Sequence, residues 1–144
     1  MQIAVIGAGA AGCFAAIELK RRLPDAEITV YEAQNRALAK VAITGGGRCN
    51  LTNSFAEVKS AETVYPRGAR LMKRLLREFS HRDAWQWFEN EGVRLTTQSD
   101  ECLFPISQNA MEIVNTLLDL LERLGVKLKT HCRIQRLDPD AEPS

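Results

Sequence analysis

The segment QIAVIGAGAAG, residues 2–12, decides the fold of this chain. Residues 2–6 form a short apolar run with β-branched side chains that ends at a glycine, as expected of a strand buried in a parallel sheet. Residues 10–22 are rich in alanine, leucine and lysine and finish with basic residues before Leu23-Pro24-Asp25, which predicts a helix that stops there. The segment therefore predicts a strand, a glycine turn and a helix.

A second β-rich segment, Glu27 to Glu32, follows the helix after a short turn. Two strands joined by a helix form a right-handed βαβ unit with parallel strands. The glycine turn between the first strand and the helix matches GxGxxG at Gly7, Gly9 and Gly12. The first glycine permits the tight turn, the second lets a pyrophosphate approach the backbone, and the third lets the helix pack closely on the strand.

A glycine turn of this pattern between a strand and a helix predicts a nucleotide-binding site. The backbone N–H groups of the first helical turn, which contains Ala10 and Ala11, can hold phosphate oxygens at the positive end of the helix dipole. Glu32 ends the second strand about twenty residues after Gly12, where a carboxylate accepts hydrogen bonds from an adenosine ribose and disfavours the 2′-phosphate of NADP. A glycine-rich turn in an unrelated α/β domain is the alternative, and the combined spacing argues against it.

A second glycine-rich segment runs from Thr44 to Asn50. The backbone amides of Gly45, Gly46 and Gly47 can line an anion-binding surface, and the guanidinium of Arg48 can neutralise phosphate or fix a flavin substituent. NAD-binding Rossmann units seldom carry such a loop after the second strand, whereas FAD-binding folds do. The loop therefore favours FAD over NAD.

The run ITGGGRCNLTN, Ile43 to Asn53, resembles the signature ITGGGRCNxTN of a family of FAD-dependent oxidoreductases. Some members of that family are described as aminoacetone oxidases and others as reductases of bile-acid intermediates. A later family pattern, phenylalanine-proline-x-serine before a helix, matches residues 104–107. The resemblance thus covers nearly the whole chain, and because family members are much longer, we expect this chain to be part of a longer protein.

The resemblance implies a set of FAD contacts. They map onto Gly7, Gly9, Ala11, Gly12, Glu32, Ala33, Lys40, Gly46, Gly47, Arg48 and Cys49, with backbone near Ile134 beside the adenine. Ala10, Thr44, Gly45 and Asn50 complete the candidate cofactor site because they belong to the same two segments. The sequence assigns no catalytic residue, since His81 and His131 are isolated from acids and nucleophiles.

The expected fold class is α/β: a Rossmann-type FAD-binding fold with a parallel sheet, of glutathione-reductase type, with a helical insertion after the second strand and an incomplete C-terminus. More than ninety residues separate Glu32 from the next candidate strand of the sheet, whereas a βα crossover needs far fewer. We therefore expect one partial FAD-binding domain over 1–144, made of a βαβ unit (1–34), a flavin and phosphate loop (35–54), a helical insertion (55–108), a returning helix with strands (109–137) and a tail (138–144).

Periodicity places the remaining elements. Residues 33–53 are expected to hold neither helix nor strand. Helices are expected at 69–79, 83–91 and 109–124, and strands at 93–97, 126–130 and 132–137.

Composition limits the classes of partner. The formal net charge is +1, so no global field attracts nucleic acid or an anionic membrane, and neither partner is expected. The basic run from Arg67 to Arg77 is interpreted as a solvated helix face. The four cysteines (Cys13, Cys49, Cys102 and Cys132) are scattered without zinc-ligand spacing, which favours a reduced, cytoplasmic protein and no metal site. The sequence does not indicate the oligomeric state.

Three functions stay open at this point. The first is an FAD-dependent oxidoreductase that passes electrons between an unidentified small molecule and NAD(P)H or dioxygen. The second is a non-catalytic module that binds FAD or ADP without turnover. The third, an NAD-only dehydrogenase domain, is disfavoured by the loop at Thr44 to Asn50 and by the long insertion.

Overall fold

The computed structural model describes residues 1–138 and divides into two compact units. The first unit, here called the nucleotide unit, comprises residues 1–41 and 117–138. The second, the insertion unit, comprises Ala42–Thr116. Among residues 1–138, no helix combines the length and apolar character needed to cross a membrane.

The nucleotide unit is a parallel sheet with a crossover helix. Its elements are β1 (Gln2–Ile6), α1 (Ala10–Arg22), β2 (Glu27–Tyr31) and β6 (Lys127–Lys129). The strands lie in the order β1-β2-β6, with Gln2 opposite Glu27 and Thr29 opposite Lys127. The predicted Rossmann fold is confirmed, including the third parallel strand after the long insertion.

The core of this unit follows from the alternation of its strands. Ile28 and Val30 of β2 point to one face and are buried, and Cys13, Ala16 and Ile17 of α1 are fully buried. Residues three and four apart on a helix share a face, so these three α1 positions form the stripe that packs away from water. The helix ends in Lys20, Arg21 and Arg22, which suit the negative end of its dipole.

The expected strand at 132–137 is wrong. His131 has a left-handed backbone with φ of 54°, and this turns the chain out of the extended conformation directly after β6. The N–H of Cys132 still donates to the carbonyl of Glu32, but residues 133–138 are exposed and form no ladder. Of the expected tail, all but Asp138 lies outside the described residues.

The insertion unit contains helices and a small antiparallel sheet. Its elements are α2 (Thr44–Gly47), β3 (Thr52–Asn53), α3 (Ala61–Val64), α4 (Ala69–Glu78), α5 (His81–Asn90), β4 (Leu95–Thr97) and β5 (Cys102–Pro105). The strands are ordered β3-β5-β4, with Thr52 opposite Leu103 and Leu95 opposite Pro105. The strand expected at 93–97 is confirmed as β4, whereas β3 and β5 were not expected in the helical insertion.

Residues 33–53 were expected to hold neither helix nor strand, and this is also corrected. They contain a 3-10 turn at Val41–Ile43 and the two-residue strand β3. The element α2 is a turn and not a regular helix, because Gly45 and Gly46 within it are left-handed. Such short elements depend on partners far along the chain, as β3 does on β5, and local periodicity cannot show them.

The expected helices are confirmed within a few residues. Ser80 and Asp83 form a capping box that fixes the start of α5. Helix α6 spans Ala110–Arg123 and is followed by Gly125 with φ of +71°. The basic side chains from Arg67 to Arg77 are exposed, as expected.

The segment Phe104-Pro105-Ile106-Ser107 leads into helix α6. Phe104 and Pro105 are buried, and the hydroxyl of Ser107 accepts from the N–H of Asn109 and donates to Glu112. The side chain of Asn109 accepts from the N–H of Met111 in the first turn. The pattern therefore anchors and caps a helix.

Candidate functional site

The glycine turn between β1 and α1 leaves a helix end open. Gly7 has a φ of +96°, and its N–H donates to the carbonyl of Tyr31 at 2.8 Å, which ties the turn to β2. Gly9 is the N-cap of α1, no side chain caps it, and the first turn carries no acidic residue. The backbone N–H groups beside Ala10 and Ala11 are thus available to an anion at the positive end of the helix dipole.

Gly9 and Gly12 have different steric surroundings. A Cβ added at Gly12 would lie 1.9 Å from the carbonyl oxygen of Gly7, so only glycine fits where α1 crosses β1. A Cβ added at Gly9 would meet nothing within 4 Å. The protein does not itself fill the space at Gly9, which is the position that a pyrophosphate needs. The residues present therefore fit a dinucleotide phosphate.

Glu32 connects β2 to the glycine turn. Its carboxylate accepts from the N–H of Ala8 and from the N–H of Gln34, each at 2.8 Å. These backbone hydrogen bonds, that of Gln34 first and that of Ala8 second, hold the pKa of Glu32 below its usual value. The carboxylate is ionised at neutral pH, and its oxygens can still accept from a ribose because each has a second lone pair.

The loop at Thr44 to Asn50 has an unusual backbone. Gly45, Gly46 and Gly47 are all left-handed, with φ of 58°, 69° and 83°. Cys49 is also left-handed at 63°, and its N–H donates to the carbonyl of Thr44 at 3.0 Å, which closes the loop. A run of left-handed residues turns successive N–H groups toward one side, and such concavities bind anions.

The side chain of Arg48 contacts several residues of the insertion unit. Its Nε donates to the carbonyl of Gly45 at 3.0 Å, and its guanidinium lies 4.5 Å from the centre of the Phe104 ring. One terminal nitrogen also reaches the side-chain oxygens of Gln98 and Gln108 at 3.4 and 3.5 Å. Arg48 therefore holds the loop in shape, and its exposed edge stays available to a ligand.

The two cysteines at the glycine-rich segments are buried. Burial raises the pKa of the Cys49 thiol to about 11. Burial, and to a smaller extent the charge of Glu32, raises the pKa of Cys13 to about 11. A thiol with such a pKa is almost fully protonated at neutral pH and is a poor nucleophile.

The structure places the predicted residues in two sets. The nucleotide unit holds Gly7, Gly9, Ala10, Ala11, Gly12, Glu32 and Ala33 around the turn at the ends of β1 and β2. Lys40 is exposed in the same unit, and Ile134 lies on the irregular chain after β6 with 36% of its surface exposed. The insertion unit holds Thr44 to Asn50.

Sequence reasoning missed the residues that support these sets. Ala8 is 1% exposed, donates to Glu32 and accepts from the N–H of Leu38 at 2.7 Å. Gln98, Gln108 and Phe104 contact Arg48 from fifty or more positions away in the chain. The position of Ala8 inside GxGxxG was a usable signal, whereas no spacing rule points to the other three. Within residues 1–138, no group of three acidic, histidine or cysteine side chains could hold a metal ion.

Comparison with known proteins identifies relatives over almost the entire chain. Residues 1–143 match the family described as HI0933-like protein Rossmann domain. The 3-dehydro-bile acid delta(4,6)-reductase of Clostridium scindens is 30% identical over 141 residues, which are 98% of this chain and 34% of that protein. The ribosomal RNA dihydrouridine synthase of Haemophilus influenzae is 26% identical over 134 residues, 93% of this chain and 32% of that protein. This chain thus spans about a third of the length of these relatives.

A solved structure supports the fold. The crystal structure of Thermovibrio ammonificans THI4 aligns with a TM-score of 0.54 and 12% identity, over 90% of this chain and 38% of that one. At this identity the likeness concerns the fold alone. The predicted family is confirmed: the chain belongs to the HI0933-like Rossmann domain family of FAD-dependent oxidoreductases.

Proposed function

We propose that this chain binds FAD and forms the cofactor-binding part of an oxidoreductase that acts on a small molecule, with NAD(P)H or dioxygen as redox partner. The observation that carries the proposal is the uncapped start of α1 with unfilled space at Gly9. Gly7 to Gly12 would hold the pyrophosphate, and Glu32 the adenosine ribose. The left-handed loop at Thr44 to Asn50 would add backbone N–H groups for the flavin half.

Flavin, when bound, supplies the electron-transfer chemistry. The residues of this chain bind and orient it. Glu32 keeps its charge at neutral pH, so it disfavours a 2′-phosphate at the ribose and favours an unphosphorylated adenosine. The four cysteines are free thiols, and we include a reducing, cytoplasmic location in the proposal.

A titration of the purified chain with FAD, ADP and NADH tests the proposal. We expect saturable quenching of flavin fluorescence and competition by ADP. Gly9→Val should weaken the binding of FAD and ADP more than tenfold, because its side chain would enter the space that the phosphates need, while the circular dichroism spectrum stays unchanged. Unchanged FAD affinity in this variant would contradict the phosphate site, and tight NADH binding without FAD binding would favour a dehydrogenase domain.

A second candidate, an oxidoreductase that acts on a base within RNA, has two observations in its favour. One relative is named for ribosomal RNA. Arg70, Arg74 and Arg77 are exposed on α4 at spacings that place them on one side of the helix. Binding of a short RNA that weakens steeply with added salt would support it, and absence of RNA binding at low salt would favour a free small molecule.

A further inference from the structure

The insertion unit contains a pocket directly after the left-handed loop. Its volume is about 570 Å³, within the range of small-molecule sites. Asn50, Thr52 and Tyr65 contribute polar groups to its lining, and Leu51, Phe55, Val58 and Val64 contribute apolar surface. The rings of Phe55 and Tyr65 lie 6.4 Å apart, so an aromatic corner closes one part of it. Apart from Asn50, the residues of this lining lie outside the candidate cofactor site.

The polar side chains of the pocket differ in whether they already form hydrogen bonds within the protein. Asn53, which also lines it, uses its oxygen for the N–H of Phe55 and its nitrogen for the carbonyl of Asp100. Within residues 1–138, the side chains of Asn50, Thr52 and Tyr65 form no hydrogen bond with the protein. An amide and two hydroxyls are therefore free to bind a ligand at this pocket.

The charge of the lining restricts the ligand. No lining side chain is acidic or basic. An ionised ligand would lose hydration here without gaining an opposite charge, which is costly, whereas an uncharged ring would gain apolar contact. The amide and the hydroxyls offer donors to a carbonyl oxygen and acceptors to an N–H group. These properties fit an uncharged, carbonyl-bearing ring.

We infer that Asn50, Thr52 and Tyr65 bind the uncharged, carbonyl-bearing ring of the substrate in this pocket. The inference rests on the proposed oxidoreductase function and adds the chemical class of its substrate. The names of two relatives agree with this class, since a 3-dehydro bile acid and a uridine both carry a carbonyl on an uncharged ring.

The test uses the FAD-loaded protein and three small probes: cyclohex-2-enone, uracil and the anion cyclohexanecarboxylate. The readout is the backbone amide NMR signals of Thr52 and Tyr65 during each titration, with the Asn50 side-chain amide as a further signal wherever that side chain is present. We expect saturable shifts with at least one of the two uncharged rings and at least tenfold weaker binding of the anion. Asn50→Leu and Tyr65→Phe should each weaken binding of the uncharged ring about three- to tenfold, the loss expected for one hydrogen bond. Asn115→Leu, the same change at an exposed position of α6, should not.

Several outcomes would overturn the inference. One is that neither uncharged probe shifts the NMR signals. Another is that the anion binds as tightly as the uncharged rings, and a third is that Asn115→Leu weakens binding as much as Asn50→Leu does. A shift of the Asn50 amide caused by FAD but not by ADP, with no further response to the probes, would assign the pocket to the flavin ring instead. Flavin absorbance is recorded in parallel, so a failure to bind FAD is seen separately; the probes are then titrated into the unloaded chain, where the same expectations for the pocket apply.

Discussion

The two glycine-rich segments of this chain use glycine for different physical reasons. In the first, Gly7 to Gly12, only Gly7 is left-handed, and the critical position is Gly12, where the helix touches the preceding strand. In the second, Gly45 to Gly47, every glycine is left-handed, and added Cβ atoms at Gly46 and Gly47 would meet nothing within 4 Å. Close packing therefore requires glycine at position 12 of the first segment. Backbone conformation requires glycine throughout the second segment, where position 45 is closely packed as well.

The difference teaches which substitutions separate folding from binding. In the first segment, one glycine is needed for packing and its neighbour Gly9 leaves room for a ligand, so the two roles fall on separate residues. In the second, several successive left-handed residues together determine the conformation of the loop. Arg48 stabilises that conformation through its contacts with the Gly45 carbonyl and the Phe104 ring. Binding and folding should be easier to separate in the first segment than in the second.

The largest expected effect is that of Gly12→Ala. Its Cβ would come 1.9 Å from a backbone oxygen, so α1 must move away from β1, and we expect a loss of about 3 kcal/mol or more in the free energy of unfolding. Gly9→Ala, the matched change three positions earlier, should lose no more than about 1 kcal/mol. Urea unfolding followed by circular dichroism measures both. Equal losses in the two variants would contradict the packing role of Gly12.

The nucleotide unit was predictable because its signals are local. The ends of β1 and α1 agree with the sequence prediction, since an apolar run, a glycine turn and a basic helix end all lie within residues 2–22. The third strand could be placed because Gly125 ends the preceding helix and an alternating run follows it. The positions of the candidate site residues at strand ends follow from the same local pattern.

The rest could not be predicted because it depends on distant partners. Strand β3 exists only through its pairing with β5, and Arg48 meets Gln98 and Gln108 through the fold of the insertion unit. The error at 132–137 has a local cause that composition does not show: the left-handed backbone at His131, a residue type that adopts this conformation more readily than most.

A smaller effect is expected in the second segment. Gly46→Ala should lower the free energy of unfolding by about 1 to 2 kcal/mol, because a φ of 69° is unfavourable for alanine. Gly45→Ala should lose about 1 kcal/mol more than Gly46→Ala, because its Cβ would also lie 2.8 Å from the backbone nitrogen of Asn50 and 2.9 Å from the Phe104 ring. The same unfolding experiment ranks the two variants. A larger loss in Gly46→Ala would show that the packing of Gly45 does not limit this loop.

Glu32 should give the first segment a pH dependence of stability. Its pKa is lowered in the folded state, so its contribution is present above the ordinary carboxyl pKa of about 4.3 and is lost as the pH falls through the lower folded value. We expect Glu32→Gln to destabilise the chain by about 1 kcal/mol at pH 7, a modest value because the carboxylate is only half-buried.

The measurement is the free energy of unfolding of both proteins from pH 7 to pH 3. The difference between wild type and Glu32→Gln should shrink on acidification, since protonated glutamate loses the charge that the N–H groups of Ala8 and Gln34 stabilise. A difference that grows toward pH 3 would contradict the direction of the pKa shift.

The smallest effect concerns the rate at which cysteines are chemically modified. Each glycine-rich segment is followed by a buried cysteine, Cys13 in the first and Cys49 in the second. The pKa of Cys13 and of Cys49 is raised to about 11, so little thiolate forms at pH 8, whereas Cys102 and Cys132 are partly exposed. Iodoacetamide should therefore modify Cys102 and Cys132 first in the folded protein and all four cysteines in urea, as mass spectrometry of digests can show. Rapid modification of Cys49 in the folded protein would mean that its loop opens in solution, and the thiol would then be a candidate for chemistry beside the cofactor. Slow modification would support a packing role, in which the thiol occupies the interior that the left-handed turn encloses.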